Sequence, residues 1–130
     1  MLTPKKRNLI ELLAPHPPRA NFHVIGVDEH CTVHVARMVG RSPCHFHSHG
    51  DEGWFVFERK LRIETEAGAV ELGRGDFTVV PRGMQHSPEA LVPGTTVVIF
   101  SRRDLGWVLD DPKADIGTYR EEDLSRGPSA

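Results

Sequence analysis

The chain has 130 residues, 16 of them basic and 18 acidic, for a net charge of −2, and 38% are hydrophobic. That length is one domain with enough apolar residues for a single core. The charge balance leaves no electrostatic footprint for nucleic acid or an anionic membrane surface, and no apolar run approaches the ~18–20 residues of a membrane span.

Residues 3–14 read as a short helix, with Thr3 as cap and Pro4 at the first helical position. Leu9, Leu12 and Leu13 share one face, at amphipathic i, i+3, i+4 spacing. Pro15, Pro17 and Pro18 end the helix. The apolar stretch is interrupted by Glu11, so a signal peptide is not expected and a cytoplasmic location is. Only Cys31 and Cys44 are present. In a reducing compartment they are expected as free thiols, with Cys44 a small buried side chain facing away from its neighbour His45.

Phe22–Val27 and Thr32–Val39 are rich in β-branched residues and bounded by turn residues, which predicts two strands. In the second, Thr32, His34, Ala36 and Met38 lie on one face and Val33, Val35, Arg37 and Val39 on the other. His34 can therefore line a cavity. Residues 43–48 read as a strand entered through a turn at Arg41-Ser42-Pro43, and Trp54–Phe57 as another. By parity, Trp54 and Val56 share the face of Glu52, opposite Phe55 and Phe57. Leu61–Thr65 and Ala69–Leu72 flank a hairpin turn at Glu66-Ala67-Gly68. Gly73-Arg74-Gly75-Asp76 is a further turn, Phe77–Val80 a strand, Pro81-Arg82-Gly83 a turn, and Thr95–Ser101 the last strand. Short strands at roughly 8–12-residue spacing with Gly/Pro turns are the all-β pattern. After Arg103 the chain becomes acidic. Residues 105–119 are expected as an extended segment laid over the fold, anchored by Leu105, Trp107, Val108, Leu109, Ile116 and Tyr119, and 124–130 as frayed.

The chemistry concentrates in residues 45–86. On a strand, His45 and His47 project to the same side. Glu52 follows His47 after four intervening residues, and His86 lies 34 residues beyond Glu52. Imidazole and carboxylate suit first-row divalent metals such as Fe, Mn, Ni, Co and Zn. Three imidazoles and one carboxylate leave an octahedral ion with open positions, which leans towards chemistry rather than a closed structural site. His47 and His49 also read H-x-H. That choice leaves two residues before Glu52 and puts His49 in a turn, so His45 and His47 are preferred.

At these residues the sequence resembles the cupin superfamily. His45-Phe46-His47 followed by Glu52 fits the first cupin motif, and Gly75, Pro81, Gly83 and His86 fall in step with the second. Three positions depart: four residues rather than five separate Gly40 from His45, Arg59 stands where the first motif ends in Gly, and Ala90 stands where the second has Asn. A non-Gly residue at 59 implies a different turn or some backbone strain. The resemblance implies an all-β, double-stranded β-helix (jelly-roll) barrel in a single domain, 1–130. Its core spans about 20–103, with a short N-terminal helix and an acidic extension at 104–130. It implies one divalent metal per chain held by His45, His47, Glu52 and His86, and pairing as a homodimer.

The segment D-E-G-W-F-V-F with G-D-F-T-V-V-P-R-G-M-Q-H looks like small stand-alone cupins. It is also similar to a segment of homogentisate dioxygenases, and H-S-P after the second motif is similar to 3-hydroxyanthranilate dioxygenases. The resemblance thus implies a metal-dependent enzyme on a small organic substrate, with oxygenase chemistry preferred. The alternatives are a non-catalytic metal or ligand-binding module and an isomerase. Trp54, Met38 and Met84 are expected as apolar wall. Arg82 or Arg41 can meet a substrate carboxylate, and His49 can stand at the mouth of the pocket.

Overall fold

The computed structural model describes residues 6–15, 23–27, 31–113 and 119–123. Thr3, Pro4, Pro17, Pro18 and residues 124–130, on which several expectations rest, lie outside these.

The helix is shorter than the sequence pattern suggests. α1 covers Leu9–Leu13, and its cap is Asn8, whose side-chain oxygen accepts from the Glu11 backbone N–H at 3.1 Å. An extended Asn8 satisfies one of the donors that a helix start leaves without partners, so the helix begins there. Leu12 and Leu13 are buried with Val35, and Leu9 and Val98 pack against them. Arg37 Nη2 donates to the Leu13 carbonyl at 2.8 Å, which ties the end of the helix to the sheet.

Among the described residues ten strands follow: β1 His23–Val27, β2 Cys31–Arg41, β3 His45–Phe46, β4 Glu52–Glu58, β5 Lys60–Thr65, β6 Gly68–Gly73, β7 Phe77–Val80, β8 His86–Arg102, β9 Val108–Leu109 and β10 Tyr119–Asp123. Apart from β1–β10, which is parallel, every pairing is antiparallel.

β8 organises the rest and works as two limbs. Residues 86–90 pair with β5, and Ala90 and Glu89 also meet Gly40 and Arg41 at the end of β2. Residues 95–102 pair with β2 on one side, and residues 96–101 with β4 on the other. The change of direction falls at Gly94, whose φ of +87° suits glycine. Thr95 locks the bend: its hydroxyl donates within reach of both the Lys60 and Val92 carbonyls, at 2.9 and 2.7 Å. β2 and β8 thus run through both layers of the barrel, which is the jelly-roll arrangement.

Between the layers lies one core of Ala36, Met38, Trp54, Val56, Leu61, Ile63, Leu72, Val80, Ala90, Val97 and Ile99. The parity expectations hold. Ala36 and Met38 of β2 face this core, while Val35 faces the helix. Glu52, Trp54 and Val56 are buried, with Gly53, Phe55 and Phe57 less so.

The departure at Arg59 resolves as strain rather than a different turn. Arg59 alone among the described non-glycine residues has a positive φ, +71°. Its guanidinium donates to the Pro93 carbonyl across the bend of β8, a contact that offsets part of the cost of the left-handed backbone.

Candidate metal centre

The segment carrying the first two histidines is barely a strand. Only His45 and Phe46 pair, and His47 has already left the ladder. The alternation nevertheless persists: His45 and His47 are buried and Phe46 is half-buried. His45 sits opposite His86 in the β3–β8 register. Glu52 begins β4, and its side chain is inward because every second residue of that strand faces the core. His86 begins β8, after the turn in which Met84 N–H bonds the Pro81 carbonyl at 3.1 Å.

These four side chains converge. His45, His47, Glu52 and His86 are 1–3% exposed, and one donor atom from each lies within 4.8 Å of the other three. The tautomers follow from the backbone. Nδ1 of His45 meets the Pro43 carbonyl at 2.8 Å, that of His47 the Gly106 carbonyl at 2.9 Å, and that of His86 the Met84 carbonyl at 3.0 Å. A carbonyl only accepts, so each Nδ1 carries a proton and each ring turns its Nε2 inward.

That leaves an electrostatic demand. His45 Nε2 and His47 Nε2 are buried without a hydrogen-bond partner. His47 Nε2 lies 3.0 Å from Glu52 Oε2, but off the direction of a hydrogen bond, and His86 Nε2 lies 3.2 Å from Glu52 Oε1. Burial opposes ionisation of Glu52, yet His47 and His86 together outweigh it and hold the carboxyl well below its usual range. Burial pushes His45 down to about 4, and the neighbouring His86 and His47 add to that effect. A lone pair facing a carboxylate requires a positive charge between them. A proton serves one nitrogen at a time, whereas a divalent ion serves all four ligands. Donors ~2.1 Å from one ion and at right angles are about 3.0 Å apart, which matches the His47–Glu52 and His86–Glu52 separations. The residues present therefore fit a divalent metal.

The other residues singled out by sequence fall around this cluster. Trp54 is buried, and its Nε1 donates to Glu52 Oε1 at 2.6 Å, so it orients the carboxylate as well as packing the core. Met38 is buried in the core and Met84 half-buried against it. His34 is half-buried on β2; desolvation lowers its pKa, and it feels the charges of Glu52 and His47. His49 is exposed in the bend after β3, with Nδ1 donating to the Asp104 carbonyl at 3.0 Å. Arg82 is exposed in the turn before His86, where the adjacent Gly83 N–H bonds the His47 carbonyl at 2.8 Å. Arg41 is engaged with Glu64 and with Ser87 Oγ.

Both cysteines are free thiols, but neither is a core residue: Cys31 is exposed and Cys44 half-buried. Partial burial and a hydrogen bond with Asp110 raise the Cys44 thiol.

Trp107 and Gly106 belong to the cluster and were not anticipated there, only as part of an overlying segment. The indole of Trp107 stacks on His45 at 4.4 Å and 15°, and stands edge-on to His47 at 4.7 Å. No local pattern marks them, because their partners lie about sixty residues away.

No model of a known protein family matches the sequence, and no curated protein matches it. Among solved structures the chain is similar to protein NMB1881 from Neisseria meningitidis, at 22% identity and a TM-score of 0.66 over 74% of this chain and 97% of that one. A cupin-2 domain containing protein from Shewanella frigidimarina matches at 22% identity and TM-score 0.62, over 75% of this chain and 94% of that one. Hydroquinone 1,2-dioxygenase PnpCD, in complex with Cd2+ and 4-hydroxybenzonitrile, matches at 22% identity and TM-score 0.62, over 88% of this chain and 76% of that one. At such identities the likeness is one of fold.

Proposed function

We propose, from the cupin fold that this chain has, that it binds one divalent transition metal through His45, His47, Glu52 and His86 and acts on a small organic substrate, with oxygenase-type chemistry preferred. One observation carries this reading: four buried donors converge while backbone carbonyls hold all three imidazoles with Nε2 inward. The dioxygenase likeness supports the preference, since that protein's structure holds a divalent cation and a phenolic compound.

When bound, the ion supplies Lewis acidity and a template for substrate. The chain supplies the rest. Trp54 holds Glu52 in its orientation. Met38, Trp54 and Met84 give the site an apolar wall that keeps water out. Arg82, beside the Gly83 N–H that bonds His47, is the guanidinium we assign to a substrate carboxylate, because Arg41 is engaged with Glu64 and Ser87. His34 and His49 flank the site without joining the ligand set.

A second reading is a non-catalytic metal-binding module. It is favoured by Glu52, the one carboxylate in the cluster, whose oxygens already face Trp54, His47 and His86 and so leave no evident proton acceptor. Among the described residues no helix is long and apolar enough to cross a membrane. Phe77, Val79 and Phe100 are exposed on β7 and β8, the two strands that flank β4, which supports a homodimer; a monomer mass in light scattering at micromolar concentration would exclude it.

Metal titration tests the main reading. Reconstitution with Fe, Mn, Ni, Co or Zn is expected to load about one equivalent per chain, and His45→Ala to lose most of the affinity while His49→Ala keeps it. Loading below about a tenth of an equivalent with all five metals overturns it. Oxygen uptake on phenolic and thiol substrates then separates the enzyme from the binding module.

A further inference from the structure

Residues 44–49, which carry two of the four donors, are held by one stretch of chain from beyond the last strand of the barrel. Asp110 N–H bonds the Cys44 carbonyl at 3.2 Å, and His49 N–H bonds the Leu105 carbonyl at 2.9 Å. β9 pairs with β3, matching His45 to Leu109 and Phe46 to Val108. The Gly106 carbonyl takes the His47 Nδ1 proton. Leu105 is buried and pins the stretch to the barrel. Gly106 has φ +74°, and a side chain there would run into Ser48 and His49, so the backbone approaches as closely as it can.

Trp107 is the one aromatic residue in this stretch, and its side chain touches two of the donor rings. It is 49% exposed, so burial of the indole does not account for its position. What the indole gains there is a flat contact with His45 and an edge contact with His47. An imidazole anchored only through Nδ1 can still swing about that bond. A ring lying parallel to it at 4.4 Å removes the swing and shields one flank of the site from water.

We propose that Trp107 is a positioning residue for the metal: clasped against His45 and His47 by the 105–110 stretch, it fixes the two imidazoles in the orientation that binds the ion. The inference rests on the metal-binding reading above. Groups behind first ligands typically change metal affinity by about 10–100-fold when removed. Trp107→Ala and Trp107→Leu are therefore expected to weaken Co2+ and Zn2+ binding at least about 10-fold, measured against a competing chelator, and to speed metal release. Trp107→Phe keeps a stacking ring and is expected to stay within about threefold of the wild type.

A second readout uses the metal-free protein. The Nδ1 protons of His45 and His47 should appear in nitrogen-edited NMR spectra and exchange slowly in the wild type and Trp107→Phe, and be lost in Trp107→Ala and Trp107→Leu, with melting temperatures close to the wild type. Equal metal affinity in all four proteins overturns the proposal and leaves the metal reading intact. A wild type that binds no metal overturns the metal reading. The proton spectra then decide whether Trp107 still orders the rings: unchanged spectra in Trp107→Ala and Trp107→Leu overturn it.

Discussion

Trp54 and Glu52 offer a quantitative test of how the centre is built. The indole N–H donates to an ionised carboxylate at 2.6 Å, and Trp54 and Glu52 are 4% and 2% exposed. Bonds of this kind to charged groups contribute roughly 1.5–3 kcal/mol. Trp54→Phe removes the donor but also shrinks the side chain, so its total cost mixes the bond with a packing defect. A double-mutant cycle with Glu52→Leu separates them, because the packing defect is present whether or not the carboxylate is. The expected coupling energy is about 1.5–3 kcal/mol in guanidinium unfolding of the metal-free protein. At about 2.1 cal/mol/K per residue, a chain of 130 residues translates that into a melting shift of about 5–11 °C. A coupling below about 0.5 kcal/mol would refute the reasoning and mean that Glu52 is oriented by the imidazoles alone.

Two further outcomes follow from the same structure. His45 is pushed down to about 4 from 6.5, so between those values the unfolded chain binds a proton that the folded one does not. Metal-free stability is present above pH 6.5 and is lost as pH falls towards 4, by about 3 kcal/mol. Glu52, also held below its usual value, adds to the loss in the acid range. Urea unfolding at pH 7, 5.5 and 4 checks this, and a flat profile contradicts it. At Arg59, Arg59→Gly relieves the left-handed backbone and loses the bond to Pro93, whereas Arg59→Ala loses the bond and keeps the strain. The Gly variant should be more stable than the Ala variant by about 1 kcal/mol, and equal stabilities would count against strain at this position.

Much of the centre was legible in sequence because its spacing is local. Period-two alternation put His45 with His47 and Glu52 with Trp54, and the structure brings His45, His47, Glu52 and His86 together. His49 fell in a bend, as its closeness to Glu52 implied: it lies past the end of the β3 pairing. What sequence did not reveal is set by contacts distant along the chain. Trp107 read as an anchor for an acidic tail because nothing near residue 107 points to His45. The bond from Trp54 to Glu52 was hidden for another reason: parity places two side chains on one face but not the torsions that join their polar atoms. The helix start moved from Thr3 to Asn8 because either residue can cap, and only the packing of Leu12 and Leu13 on Val35 chooses between them.

The shared role of β8 bears on how the molecule comes into being. Strands β2, β3, β4 and β5 all close against residues 86–102, and Cys31 pairs with Arg102. A nascent chain that has emerged as far as residue 85 holds three of the four donors but lacks the strand that joins β2, β3, β4 and β5. Its β2 and β4 edges are open to other chains until residues 86–102 arrive. Closure across such separations places folding in the slow, milliseconds-to-seconds range of all-β domains. An ion arriving that early would meet only a loose trio of donors, before residues 105–110 have fastened over them.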